Sequence, residues 1–396
     1  MKADDRFEFK AKDKRVIFLL ILIGILSLVF GFSNEATRTR AWASVLLNNY
    51  YFITLSLGAV LFMAIQYAVQ AGWSTVLRRV PEAMSTFLPV GALLMLGIYF
   101  GIHELYHWAH HGITDPTSPH YDALLAGKAG YLNIKFFLIR MVVFLGIWVL
   151  FAKVFRKNSL EEDASGNIQF YRKNFRNSCI FLAFYAITIT LASFDWLMSL
   201  EPHWFSTIFG VYNFAGMFVN GVVGITLITL FLKGRDYLEK VNEDHLHDLG
   251  KLIFAFSIFW AYIWISQLLL IWYSNIPEEV TYYQARWIPH YKGLFFMNLV
   301  INFVFPFLVL MRRGSKRDFK TLKLVATILV VGHYLDLYLM IMPGPLGERA
   351  VIGLIEVGSF LGYLGLFVLV VFTALSKVKL VPQKVAYLEE SLSYHQ

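Results

Sequence analysis

Ten stretches of about 20 apolar residues, each long enough to cross a ~30 Å hydrocarbon layer as a helix, punctuate this chain of 396 residues. They fall at roughly 16–33, 51–71, 84–103, 133–154, 178–198, 207–232, 252–273, 293–311, 322–342 and 350–374. Lipid offers an exposed peptide group no water to bond, so such spans must be helices that close their own hydrogen bonds. The fold class that follows is an all-α integral membrane protein with ten transmembrane helices. The longest pieces between spans are 104–132, 155–177 and 233–251, with a tail at 375–396, and none is long enough for a soluble core.

The basic residues orient the spans. Alternation puts 27 of the 35 Lys and Arg on the side shared by both termini and 7 on the other, with Arg140 alone inside a span. Basic loops stay cytoplasmic, so both termini are expected inside, and the net charge of +8 is an orientation signal that implies no nucleic-acid partner. Charged Met1–Arg15 precedes an apolar run with no evident cleavage site, so the first span reads as retained. A single cysteine, Cys179, leaves no disulfide framework, no iron–sulfur cluster ligated within the chain and no Cys-x-x-Cys-His haem attachment. Trp42, Trp108, Trp196, Trp204, Trp272 and Trp287 map to the outer interface as belt anchors.

Six ionisable residues fall inside otherwise apolar spans: His103, Arg140, Asp195, His333, Asp336 and Glu356. A charge in hydrocarbon costs at least about 2.5–3.5 kcal/mol, so such residues are rare and usually functional. Counting ~1.5 Å per residue places all six at the midplane or in the outer half, which predicts one polar cavity opening outward. His333 and Asp336 are three apart and share a helix face; groups coupled in that way can pass protons near neutral pH. Arg140 calls for a carboxylate partner such as Asp195. Neutral polar residues, Gln66, Gln70, Ser257 and Asn302, are the candidates for a half-path from the inner side, or serve as interhelical glue.

A duplication is visible. Asp195 precedes Pro202, and Asp336 precedes Pro343, by the same seven residues. Spans 4 and 8 open on Phe136-Phe137 and Phe295-Phe296 and leave through Arg156-Lys157 and Arg312-Arg313. An offset of four spans makes spans 2–5 and 6–9 parallel repeats, with boundaries at 15–34 (flanking helix 1), 43–200 (first bundle), 205–343 (second bundle), 348–375 (flanking helix 10) and 376–396 (cytoplasmic tail).

His103-Glu-Leu-Tyr-His107 matches H-E-x-x-H, the zinc-protease pattern, and resembles one box of the membrane di-iron enzymes. No second histidine box accompanies it, and it falls where span 3 leaves the membrane, so no metal is expected. The histidines reading His103 to His111 then form a surface cluster, a proton-collecting patch or a partner contact. A haem b held by His103 and His333 is disfavoured, because no His pair recurs within a span.

The stretch Ser193-Phe-Asp-Trp-Leu-Met-Ser-Leu-Glu-Pro-His-Trp-Phe-Ser-Thr-Ile-Phe-Gly210, with the ten-span layout, resembles the F subunits (ActF) of bacterial alternative complex III, within the NrfD/PsrC-like membrane subunits. The resemblance covers essentially the whole chain. It implies a subunit of a quinol:electron-acceptor oxidoreductase in the bacterial cytoplasmic membrane that is not an enzyme on its own. Its expected partners are haem c subunits, an iron–sulfur subunit, the homologous ActC and a terminal oxidase. It carries no covalent cofactor, with quinone or menaquinone and bound lipids as ligands. The competing class is a secondary transporter with a midplane ionisable site, against which no matched pair of Gly/Pro-interrupted spans is evident; a membrane metalloenzyme comes third.

Overall fold

The structure is a computed structural model describing residues 6–350 and 352–395. Residues 1–5 of the basic N-terminal segment, residue 351 and the last residue of the tail lie outside the described residues. Among the described residues, ten helices are long and apolar enough to cross a membrane: α1 Ala11–Phe32, α2 Glu35–Ala68, α3 Arg79–Leu105, α4 Ile134–Ser165, α5 Gln169–Leu200, α6 Phe209–Lys233, α7 Glu243–Ser274, α8 Pro289–Leu310, α9 Phe319–Ile341 and α10 Leu354–Ser376. No strand occurs among the described residues beyond an isolated bridge between Arg6 and Lys379.

Several helix starts are set by side-chain caps, each satisfying backbone N–H groups that the first turn leaves free. Asn34 caps α2, Asn133 caps α4, Asn242 caps α7 and Asp318 caps α9. The Asn34 cap starts α2 some sixteen residues before the expected boundary, so Arg38 and Arg40 stand on the helix and not in a loop. Likewise α4 runs on to Ser165, where Gly166 adopts the left-handed conformation (φ 70°) that ends it.

Two spans are interrupted, which the sequence reading did not anticipate. Pro89 deprives the Ser85 carbonyl of its donor and α3 breaks at Thr86–Phe87, then tightens to a 3-10 turn at Gly97–Gly101. Pro306 does the same to the Asn302 carbonyl, and α8 widens to a π turn over Val300–Val304. The two breaks lie in helices that the repeat does not pair.

Packing follows the duplication. α2 and α4 each pack on α3 and α5, closing one four-helix ring; α6 and α8 each pack on α7 and α9, closing a second. The rings join where α2 crosses α6, and these two helices are the innermost, with 83% of each apolar window buried against 22% in α1. Backbones meet at the crossing: a Cβ on Gly221 would stand 2.6 Å from Gly58, and one on Gly58 2.7 Å from Gly221. α1 and α10 pair with each other outside the rings, touching at Gly24 and Gly362. Between lipid-immersed helices, such close approach is what holds the pair. Gly221→Ala is therefore expected to cost about 1–3 kcal/mol by overpacking, while Gly97→Ala, which enters open space, should be nearly neutral. Denaturation in mixed micelles distinguishes the two.

At the face carrying both termini, the tail lies across both rings. Backbone N–H groups of Gln383 and Lys384 donate to Asp163, and that of Ala386 to Glu162. Asn242 donates to the Tyr394 carbonyl, and the Tyr394 hydroxyl to Asp248. Phe7 is buried against Phe231, Tyr237 and Phe372.

Candidate functional site

The cap at Asp318 fixes the phase of α9, and that phase turns His333 and Asp336 into the second ring. Both are buried, at 3% and 2% exposure. Three neutral donors converge on the Asp336 carboxylate. The Tyr212 hydroxyl from α6 and the Asn298 amide from α8 (2.7 Å) reach Oδ1, and the Trp260 indole N–H from α7 (3.0 Å) reaches Oδ2. Every other helix of the ring thus contributes one ligand, and no cation is among them. Asn302 donates to the Asn298 Oδ1 (2.6 Å), extending the string one turn along the π-widened part of α8.

Among the described residues, His333 has no hydrogen-bond partner on either ring nitrogen. Its ring stands perpendicular to Trp260, with centroids 6.0 Å apart. His333 and Asp336 line a narrow cavity at the seam of the two rings, together with Tyr50, Thr54, Asn213 and Asn220. The cavity has space for about one water molecule, and its polar lining could bind one. On the other side of the carboxylate, Tyr212 and Asn298 line a second small cavity with Gln267, Tyr282, Tyr283 and Arg286. Arg286, 1% exposed, donates to Glu201 Oε1 (2.7 Å) and to the carbonyls of Leu339, Tyr282 and Met340. Its guanidinium lies 3.3 Å from the Tyr282 ring centroid. A string of polar groups therefore runs from His333 through Asp336 and Tyr212 toward the face opposite the termini. No protein-family model matches the chain, and no curated protein does.

The first ring holds the equivalent aspartate differently. Arg140 of α4 grips Asp195 of α5 with two bonds, Nε to Oδ2 at 2.6 Å and Nη2 to Oδ1 at 3.0 Å. The guanidinium is sandwiched by the Tyr131 and Phe136 rings, 3.8 and 4.2 Å from their centroids. This is the pairing expected from the sequence. Asp195 is bound from α4 and Asp336 from α8, the helices that the duplication matches. Both carboxylate oxygens of Asp195 are taken by a fixed cation, whereas Asp336 has only neutral donors.

The six ionisable residues do not share one cavity. Glu356 closes the N-terminus of α10 by accepting from the Gly353 N–H (2.9 Å) and pairs with Arg40 through both guanidinium bonds (2.5 Å). The extra turns of α2 bring Arg40 there, so Glu356 belongs to the α2–α10 contact. His103 is exposed, because α3 gives way at Tyr106, and its Nδ1 contacts the Ala109 carbonyl (2.8 Å). That same break separates His103 from His107, so the zinc-type motif loses the continuous helix it needs. No three His, Cys, Asp or Glu side chains converge on a metal-sized site among the described residues. Burial, and then the neighbouring His110 and His203, hold the His107 imidazole below its ordinary value, which weakens the proton-collecting reading of the cluster.

The inner half-path also dissolves. Gln70 is exposed beyond the end of α2, in a left-handed conformation at φ 52°. Gln66 lines a small cavity of the first ring beside Tyr67, Arg78 and Tyr171. Ser257 and Asn302 are buried in the second ring, so the four do not line one route. Near Gln66 stands an ion network that the sequence reading took for loop charges. Arg78 pairs with Glu162 (2.9 Å), and Arg79 with Glu82 (2.7 Å) and Asp163 (2.5 Å), all but Asp163 nearly inaccessible. Of the six tryptophans assigned to a belt, Trp108, Trp196 and Trp204 are instead buried in the core, while Trp272 and Trp287 are exposed.

Proposed function

We propose that this chain is an integral subunit of a respiratory quinol-oxidising assembly in a bacterial cytoplasmic membrane, with both termini cytoplasmic, and that Asp336 is its proton site. The observation that carries the proton reading is a buried carboxylate with three neutral donors and no cation, beside an unpartnered histidine and space for one water. A carboxylate in a fixed ion pair serves as structure; one held only by dipoles can change charge by gaining or losing a proton. The string toward Arg286 and Glu201 favours exchange with the outer side. The wider assignment rests on the resemblance of Ser193–Gly210 and on the charge bias of the loops. Its partners would be subunits carrying haem c and iron–sulfur clusters, the ActC-like homologue and a terminal oxidase. Purification under mild conditions tests it: haem-bearing partners should come with the chain, whereas a colourless lone chain would favour a secondary transporter. Within the assembly, Asp336→Asn tests the proton site.

One observation favours quinol binding here as a second reading. A mostly apolar cleft of about 420 Å³ opens beside the Arg140–Asp195 pair, walled by Tyr131, Leu191, Phe194, Met198, Trp204 and Phe205. It falls in the size range of ligand sites, unlike the cavity at His333. In the assembled complex, Leu191→Trp would fill the cleft and should raise the KM for quinol several-fold with kcat little changed; an unchanged KM would set this reading aside.

A further inference from the structure

Some cations at the termini face are neutralised within the chain: Arg78 and Arg79 as above, Arg235 by Asp13, Arg317 by Asp244 and Lys251 by Asp248. Three others share one site. Lys153, Arg156 and Lys157 stand at i, i+3 and i+4 on the inner turns of α4, so their side chains share one face. Among the described residues none of the three pairs with a carboxylate. Arg156 is half-buried, and among the described residues its guanidinium reaches the Ala374 carbonyl at 3.4 Å, a long contact that leaves most of its five donors unsatisfied.

These cations line an open groove of about 410 Å³ between α4 and the broken start of α3. Pro89, Ala152 and Leu160 supply apolar wall. The hydroxyls of Ser85 and Thr86 also line it but donate to the carbonyls of Glu82 and Ala83, so the cations are its available donors. Among the described residues, Glu161 is the one acid that lines the groove, and it is exposed. Farther along the same face of α4, Leu150, Gly146 and Val143 are exposed, continuing the spacing of Lys157 and Lys153. Nothing lies within 4 Å of the position a Gly146 Cβ would take. An apolar track thus leads from the cationic groove into the span.

We infer that the groove between α3 and α4 binds the phosphate headgroup of an anionic membrane phospholipid, with Lys153, Arg156 and Lys157 on the phosphate and an acyl chain along Leu150, Gly146 and Val143. Charge complementarity selects the headgroup, since basic residues beside a span attract anionic lipid. The apolar track selects a lipid over a free anion.

Native mass spectrometry of the full chain, released from nanodiscs of phosphatidylglycerol or of phosphatidylcholine, tests the site. Phosphatidylglycerol should be retained at least about tenfold more strongly than phosphatidylcholine. The triple variant Lys153→Gln, Arg156→Gln, Lys157→Gln should lose that preference. The matched variant Arg312→Gln, Lys320→Gln, Lys323→Gln should keep it. The double variant Lys153→Gln, Lys157→Gln leaves half-buried Arg156 in place and should show a several-fold loss even if the triple variant folds poorly. Glu161→Gln should retain or strengthen binding. Equal retention of the two lipids, or unchanged retention in the double variant, overturns the proposal. Displacement of phosphatidylglycerol by millimolar inorganic phosphate overturns the lipid assignment in favour of a free anion.

Discussion

Arg140→Met alone should destabilise the protein by about 3–5 kcal/mol, the usual result of removing one partner from a buried ion pair. The Asp195 carboxylate, 0% exposed, would then lie in the first ring with both oxygens deprived of their guanidinium. What remains is the Tyr131 hydroxyl, a single neutral donor, among the buried chain neighbours Trp196 and Ala192, both 0% exposed. Arg140 would also lose its contact with the Tyr131 and Phe136 rings, which fixes the chain entering α4. The partner variant Asp195→Leu should be about as harmful, leaving a guanidinium buried. The double variant Arg140→Met, Asp195→Leu should recover most of the loss, because a well-packed apolar pair often matches a buried ion pair in stability. Unfolding in mixed micelles, run as a double-mutant cycle, measures the coupling. Additive losses would show that the two residues act independently and that the pairing is not what holds α4 to α5.

That pair was legible in the sequence because a lone arginine within a span leaves few choices: it must find a carboxylate. His333 and Asp336 were legible as neighbours for an equally simple reason, their spacing on one helix. What the sequence could not reveal were the groups that hold Asp336. Tyr212, Trp260 and Asn298 are uncharged residues in apolar runs, indistinguishable there from interfacial aromatics and interhelical glue until the ring brings them together. Arg40 was hidden by the start of α2, since Glu35–Asn49 is polar enough to read as a loop and becomes helical through its Asn34 cap and its packing. Arg78 and Arg79 were legible in the sequence only as basic residues between two spans, because their carboxylate partners come from Glu82, Glu162 and Asp163, two of them some eighty residues on. Depth, read by counting residues, placed six ionisable groups at one level. Level does not mean contact, and helix order divides them among two rings, the α2–α10 contact and an exposed turn.

The matched aspartates of the two rings give the sharpest separation of structure from function. Asp336→Asn keeps the size of the side chain, so the fold should survive with a modest loss of stability, provided that the amide can turn its oxygen toward Tyr212 or Trp260. It removes the carboxylate in the second ring that can take up and release a proton without a cation to compensate it. If Asp336 is the proton site, proton-coupled quinol oxidation by the assembled complex should fall by about 10²-fold, the lower end of what a positioned acid–base group contributes. Asp336→Glu should recover part of the rate, since it restores a titratable group within the same set of donors. Tyr212→Phe removes the hydroxyl between Asp336 and the cavity leading to Arg286, so it should slow proton release while leaving Asp336 in place. Asp195→Asn should behave oppositely, lowering stability through Arg140 and affecting turnover only to the extent that less protein is folded. Unchanged turnover and unchanged proton release in Asp336→Asn, measured in complex reconstituted into vesicles, would remove Asp336 from the proton path. The string from His333 to Glu201 would then be read as packing between α6, α8 and α9.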